Sequence, residues 1–136
     1  MNKSSQAEKD KGKKYVESFL KEDGVKSTTS GLAYKIVKAG SAKKPSPQDT
    51  VEVHYHGTLI DGKVFDSSVD RGEKISFPLN GVIPGWTEGL QLIGEGGEVR
   101  LVIPSELAYG DRGSPPVIPG GATLIFNVSL FRINPK

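Results

Sequence analysis

The chain contains no cysteine. A disulfide framework, a thiolate nucleophile and a cysteine-ligated metal site are therefore excluded, although the absence fits reducing and oxidising compartments equally well. There is no run of about 18 apolar residues to span a bilayer. Met1 to Lys14 is polar rather than signal-like. We therefore expect a soluble chain that, as given, carries no export signal.

Excess charge of either sign is also lacking. The 18 Lys and Arg residues nearly balance the 16 Asp and Glu residues, which leaves a net charge of +2. Such a field does not by itself favour nucleic acid. A nucleic-acid surface built on Lys35, Lys38, Lys43 and Lys44 would lack interleaved aromatic residues for base stacking. We expect no nucleic-acid partner, and salt-sensitive retention on DNA would reopen that alternative.

Turn-forming residues are abundant. The 136 residues include 17 glycines and 9 prolines, and 35% of the chain is hydrophobic. This length fits one ordinary domain with an appendage rather than two full-sized cores. The composition favours a β-rich domain over a helical bundle.

The first part of the chain has a helical pattern. Residues 4–22 are good helix formers, and Gly24 is a suitable C-terminal cap. Four apolar side chains share one face at helical spacing: Tyr15, Val16, Phe19 and Leu20. We expect residues 1–30 to be an N-terminal helix and linker, with the first dozen residues of the chain frayed. The apolar stripe should dock on the parent domain or a partner helix, with a membrane surface as the less favoured alternative.

After Gly31 the apolar period changes to two, which is typical of half-buried strands. Strand patterns cover residues 32–37, 51–60, 75–79, 98–103 and 123–132. Asp61-Gly62 suits a type I′ hairpin turn. Residues 84–93 differ, because Pro84 precedes apolar residues spaced for a short helix. The predicted fold is α+β: a curved antiparallel sheet, a half-barrel of about five strands, wrapped around one short helix.

Large apolar side chains gather near the ends of these elements: Tyr55, Phe65, Ile75, Phe77, Val82, Ile83, Trp86, Tyr109 and Phe126. Such a set forms either an ordinary core or a ligand pocket. Asp66 lies five residues before Arg71, so the two side chains can pair across a loop, either in a site or as an ordinary surface salt bridge. His54 and His56 share a strand face with Glu52, and a metal site there is the less favoured alternative to solvent exposure.

Four segments resemble the FK506-binding family of prolyl isomerases, and they occur in the family's order. They are VFDSSVDRGEKISF (64–77), GVIPGWTEGLQL (81–92), LVIPSELAYGDRG (101–113) and ATLIFNVSL (122–130). The resemblance runs from about Gly31 to the C-terminus. Residues 11–40 resemble the bacterial periplasmic branch that includes FkpA and the macrophage infectivity potentiator proteins. In that branch a long helix joins the catalytic domain to an N-terminal dimerisation domain.

The resemblance implies an organisation and an activity. Residues 1–30 would be the remnant of a dimerisation arm and residues 31–136 the isomerase domain. This chain would be a monomer and the full-length protein a homodimer, in the periplasm or, alternatively, the cytoplasm. The implied activity is peptidyl-prolyl cis-trans isomerisation of unfolded or partly folded polypeptides, without a cofactor or metal. FK506 and rapamycin-type macrolides would inhibit it, and chaperoning would accompany it or, as the main alternative, replace it.

The resemblance also implies individual roles. Trp86 would form the pocket floor, and the other binding residues would be Phe65, Arg71, Ile75, Phe77, Val82, Ile83, Val117 and Ile118. Within this set Arg71 would orient Asp66, and the Ile83 backbone N–H would donate a hydrogen bond. Val117 and Ile118 would form an apolar rim. The implied catalytic residues are Tyr55, Asp66, Tyr109 and Phe126. Ser114 stands where many members carry a larger side chain, which leaves the preferred residue before proline open.

Overall fold

The computed structural model describes the backbone of residues 3–135 and the side chains of residues 6–135. Its helices are α1 (Lys3–Phe19), α2 (Ser68–Arg71) and α3 (Pro84–Leu90). Its strands are β1 (Val25–Ser27), β2 (Ala33–Lys38), β3 (Thr50–Leu59), β4 (Val64–Ser67), β5 (Ile75–Pro78), β6 (Glu98–Ile103) and β7 (Leu124–Ile133). Two single 3-10 turns cover Leu79–Gly81 and Ser105–Leu107. Among the described residues, no helix is both long and apolar enough to cross a bilayer.

The strands form one open, antiparallel sheet. Its order is β1-β2-β6-β7-β3-β4, and β5 also pairs with β3. One edge of the ten-residue β3 pairs with β7, whereas the other is shared by β5 at its start and β4 at its end. The predicted α+β fold is confirmed, with seven strands rather than about five. The two additional strands are β1, which has only three residues, and β4, a four-residue strand on the edge of β3.

Helix α3 covers one face of the sheet, as the sequence predicts. Pro84 is in its first turn, where the missing backbone N–H costs nothing. Trp86 and Leu90 are buried in the main core with side chains from β3, β6 and β7. Gly89 permits this approach, because a Cβ there would lie 2.6 Å from a methyl carbon of Leu101. The helix ends at Leu90, slightly before the predicted residue 93.

Helix α1 packs on the other face of the sheet. Phe19 is only 2% exposed and belongs to a second apolar cluster with Ala33, Val102 and Ile125. Docking on the parent domain is thus the alternative that the structure supports. Fraying was predicted for the first dozen residues, and the structure has helix from Lys3 onward. Lys9 forms an ion pair with Asp111, at 2.5 Å. The part of that prediction on residues 1–2 lies outside the described residues.

The hairpin between β3 and β4 differs from the predicted type I′ turn. That turn needs positive φ at both central residues, but only Gly62 has it, with φ of 92°. The Leu59 N–H donates to the Lys63 carbonyl and the Gly62 N–H donates to the Leu59 carbonyl. This is a three-residue hairpin loop that ends in a left-handed glycine, with a register shift at Gly57/Thr58. The turn location was correctly predicted, whereas its type was not.

Candidate active site

A cavity of about 460 Å³ opens at one end of helix α3. Its lining comes from β3, β4, β5 and β7, from residues 81–86, and from the segment after the second 3-10 turn. The lining residues are Tyr55, Phe65, Asp66, Phe77, Gly81, Val82, Ile83, Trp86, Ala108, Tyr109 and Phe126. This volume and mostly apolar lining suit a small ligand or a short piece of polypeptide.

Aromatic rings define the shape of the cavity. Trp86 is 4% exposed and makes edge-to-face contacts with three rings. Its centroid distances are 5.2 Å to Tyr55, 5.6 Å to Phe77 and 5.2 Å to Phe126. Phe65 meets Phe126 edge to face at 5.4 Å. These contacts pack the aromatic rings against one another along the cavity lining.

A polar triad lies at the edge of this apolar box. The Tyr55 hydroxyl donates to Oδ2 of Asp66 at 2.5 Å, and Nη1 of Arg71 donates to Oδ1 of Asp66 at 2.6 Å. Nη2 of Arg71 also donates to the Tyr55 hydroxyl at 3.2 Å. The predicted pairing of Asp66 with Arg71 is therefore confirmed. Both carboxylate oxygens of Asp66 accept a hydrogen bond, so the carboxylate is oriented at the edge of the cavity.

The triad changes the ionisation of its members. Burial opposes ionisation of Asp66, but the hydrogen bonds from Tyr55 and Arg71 outweigh it and hold the Asp66 pKa below its usual 3.8. Burial, and then the hydrogen bond to Asp66, raise the pKa of Tyr55. Hydrogen bonds to Tyr55 and Asp66 raise the pKa of Arg71 further above its usual value. At neutral pH the triad is an ionised pair bridged by a neutral phenol.

The short helix α2 places Arg71. Ser67 caps its N-terminus by accepting a hydrogen bond from the Asp70 N–H, and Gly72 ends it with φ of 74°. The Ser68 hydroxyl is fully buried and accepts a hydrogen bond from the Tyr55 N–H at 2.7 Å. This ties α2 to β3 directly behind Tyr55, so Arg71 has little freedom to leave Asp66.

The histidines of β3 contribute to the same attachment. Nδ1 of His54 lies 2.7 Å from the Ser68 hydroxyl, and Nδ1 of His56 lies 2.8 Å from the Ser67 hydroxyl. The prediction that both are solvent-exposed is wrong, because both are half-buried under α2. Within the described residues, no group of three or more His, Cys, Asp or Glu side chains is arranged to hold a metal ion.

Most of the predicted site residues line this one cavity, but four do not. Arg71 contacts it only through Asp66 and Tyr55, and Ile75 packs against the core. Ile118 is 6% exposed and belongs to the core, so it does not form the predicted rim together with the exposed Val117. The burial follows from the 114–118 loop, whose Ser114 and Ile118 pair through their backbones and turn Ile118 inward.

Two lining residues were not predicted. Gly81 precedes the predicted Val82, and Ala108 precedes the predicted Tyr109. A glycine and an alanine carry no hydrophobic or charged signal that separates them from ordinary loop residues. Their positions beside predicted residues were the one available indication, because both lie in segments that already supply the cavity.

Family comparisons agree with this geometry. The family model for the FKBP-type peptidyl-prolyl cis-trans isomerase matches residues 41–131. The chain belongs to this family. The model for the domain amino terminal to FKBP-type peptidyl-prolyl isomerase matches residues 1–36. The resemblance of the four sequence segments is thereby confirmed.

Individual FKBP-type relatives cover nearly the whole chain. It is 54% identical to FkpA of Escherichia coli K12 over 135 residues, which are 99% of the chain and 50% of the relative. It is 54% identical to FkpA of Aeromonas hydrophila over 123 residues, 90% of the chain and 46% of the relative. The chain thus spans about half the length of these curated relatives.

Solved structures support the FKBP fold. The crystal structure of Escherichia coli FkpA has a TM-score of 0.94 and 54% identity, covering 98% of this chain and 62% of that chain. The crystal structure of a peptidyl-prolyl cis-trans isomerase from Pseudomonas syringae has a TM-score of 0.89 and 32% identity. It covers 99% of both chains.

Proposed function

We propose that this chain is an active peptidyl-prolyl cis-trans isomerase, which binds proline in the aromatic cavity and accelerates rotation about the preceding peptide bond. The observation that carries the proposal is the cavity itself. Its floor is a buried tryptophan ringed by three aromatic side chains, and its edge carries the fixed Asp66 carboxylate. A proline ring is apolar and compact, so it suits this floor.

The barrier to be lowered is about 18 to 20 kcal/mol, because resonance gives the peptide C–N bond partial double-bond character. The twisted transition state has lost that resonance and its charge separation. A water-poor cavity therefore favours the twisted form relative to the planar form. Each tenfold acceleration requires about 1.4 kcal/mol of such differential stabilisation. No bond breaks, so neither a nucleophile nor a cofactor is needed.

The residue roles follow from this mechanism. Trp86 carries the proline ring, and Tyr55 and Phe126 hold it at the sides. Tyr109 is 43% exposed and lines the cavity, and its hydroxyl donates to a substrate carbonyl. The negatively charged Asp66 carboxylate attracts the partially positive carbon of the rotating carbonyl group. Arg71 acts through Asp66 and is a positioning residue.

The partners follow from the family and the cavity. Proline-containing unfolded or partly folded polypeptides are the substrates. FK506 and rapamycin-type macrolides are the proposed inhibitors, because membership of the family implies that part of such a ligand occupies the same cavity. The isomerase domain is proposed to cover residues 31–136, and residues 1–30 to belong to a dimerisation arm. We propose that this chain is monomeric, that the protein with its whole arm is a homodimer, and that it is periplasmic, with the cytoplasm as the alternative.

The test is an isomerisation assay without a coupling protease on a proline tetrapeptide, with the residue before proline varied and FK506 added in a second series. We expect acceleration that FK506 abolishes. Folded protein that binds the peptide without accelerating isomerisation would contradict the enzyme and leave a peptide-binding module or chaperone. Sedimentation of this chain as a tight dimer would contradict the monomer.

A further inference from the structure

A second cavity of about 630 Å³ lies beside the aromatic one. Val82 lines both cavities. The residues of two chain segments, 80–84 and 107–108, are divided between the linings of the two cavities. The second cavity is lined by Ser30, Asn80, Val82, Pro84, Thr87, Glu88, Gln91 and Leu107. Their neighbours Gly81, Ile83 and Ala108 line the aromatic cavity. A chain that leaves one cavity over Val82 therefore enters the other directly.

The second cavity has an acidic character. Glu88 is the charged residue of its lining. The Ser30 hydroxyl donates to Oε1 of Glu88 at 2.5 Å and so orients the carboxylate. A carboxylate has about four acceptor positions, so this contact leaves it with capacity to bind a cation. The cavity thus offers one oriented negative charge to whatever occupies it.

Two other polar side chains of the lining already make hydrogen bonds within the protein. The Thr87 hydroxyl donates to the Leu79 carbonyl, and the Gln91 amide donates to the Thr87 carbonyl, both at 2.7 Å. Both groups are therefore used within the protein. Val82, Pro84 and Leu107 supply apolar surface. A basic side chain with an aliphatic stem fits this combination, because its methylene groups pack on apolar surface while its charge reaches a carboxylate.

We propose that this second cavity, the flanking cavity, binds the part of the polypeptide substrate next to the proline and selects a basic residue there through Glu88. The proposal rests on the proposed isomerase function. Because the two cavities share Val82, about three residues of extended chain, which span about 10 Å, reach from the proline into the flanking cavity. The basic residue therefore lies about two to four positions from the proline. Glu88 is half-buried, so the preference is modest, about two- to fivefold.

The experiment uses a proline tetrapeptide extended on both sides, with Lys or Gln placed in turn at each flanking position. The readout is the ratio of kcat/KM for the Lys peptide to that for the Gln peptide, so each variant is its own reference. We expect a ratio of about two to five at one or more positions, falling to about one in Glu88→Gln. In the control Glu22→Gln, an exposed carboxylate away from both cavities, the ratio stays that of the wild type.

Two results would overturn the proposal: no preference for Lys at any position, or a preference that survives Glu88→Gln. Failure of the isomerase function is a separate result, seen as no acceleration of the unextended tetrapeptide. In that case fluorescence polarisation with the same labelled peptides gives the affinity ratio of Lys to Gln. If the affinity ratio favours Lys and falls to about one in Glu88→Gln, the result supports binding of a basic residue in the flanking cavity. A ratio that Glu88→Gln leaves unchanged contradicts such binding.

Discussion

The Tyr55 hydroxyl lies 2.5 Å from Oδ2 of Asp66 and donates a hydrogen bond to it. This contact joins β3 to β4 at the edge of the aromatic cavity, where Arg71 holds the other carboxylate oxygen. Tyr55 also packs edge to face on Trp86, the proposed floor. One side chain therefore connects the polar edge with the apolar floor. Because the hydroxyl and the ring of Tyr55 make separate contacts, the hydroxyl can be removed while the ring still maintains the shape of the cavity.

Tyr55→Phe keeps the ring and removes the hydroxyl. The Asp66 carboxylate then loses one of its two side-chain donors, and we expect kcat/KM for a proline peptide to fall about three- to tenfold. Tyr34→Phe is the matched control, because Tyr34 packs against the core but does not line the cavity. Equal effects of the two substitutions would contradict the role given to the hydroxyl.

Arg71→Gln should raise the pKa of Asp66. Burial disfavours the ionised carboxylate, and the substitution removes the Arg71 hydrogen bond and positive charge that help to outweigh burial. In the unsubstituted protein the lowered pKa stabilises the fold fully above the usual value of 3.8, and this contribution is lost as pH falls through the folded-state pKa. Carbon-detected NMR of the Asp66 carboxyl from about pH 2 to 6 measures the pKa. Arg132→Gln, an exposed arginine on β7, should leave it unchanged. An Asp66 pKa unaffected by Arg71→Gln would show that the pairing has no electrostatic weight.

Trp86 is the only tryptophan in the chain, so its fluorescence reports on the cavity alone. Binding of FK506 or a proline peptide should exclude water from the mouth and change the intensity or wavelength of its emission. The change should saturate with the dissociation constant found by calorimetry. If calorimetry detects binding while the emission stays constant, the ligand does not lie on Trp86.

Neighbouring residues at the end of helix α1 test its docking. Phe19 is 2% exposed, whereas Leu20 is 40% exposed. Phe19→Ala should lower the free energy of unfolding by about 3 kcal/mol, because it removes a buried ring from the second apolar cluster. Leu20→Ala should cost no more than about 0.5 kcal/mol. Urea unfolding measures both, and similar small losses would mean that α1 is not bound to the sheet in solution.

Much of the fold was predictable because each element had a local signal. The alternation in β3 corresponds to its alternating burial, and Pro84 marks the start of α3. The three residues of β1 are too few to show a period, so that strand was missed. The hairpin type depended on whether Asp61 adopts positive φ, which the Asp-Gly pair permits but does not require.

The site was predictable where a residue type carried its own chemistry. The aromatic residues and the Asp66–Arg71 spacing left open an ordinary core and a surface ion pair, and the resemblance to the family favoured a cavity with a polar edge. The half-burial of His54 and His56 was missed because α2 covers that face of β3, and a four-residue helix leaves little trace in the sequence. The contact of Ser30 with Glu88 was equally hidden, since 58 residues separate them.

The most direct test of catalysis is exchange NMR of a proline tetrapeptide at equilibrium with a small amount of the protein. Uncatalysed exchange between cis and trans takes tens to hundreds of seconds. We expect an exchange rate that rises in proportion to protein concentration and falls about tenfold or more in Asp66→Ala and Tyr109→Phe. The rate should be unaffected by Asp61→Ala, in the β3–β4 turn outside the cavity. Exchange that stays at the uncatalysed rate with folded protein present would contradict the proposed catalysis.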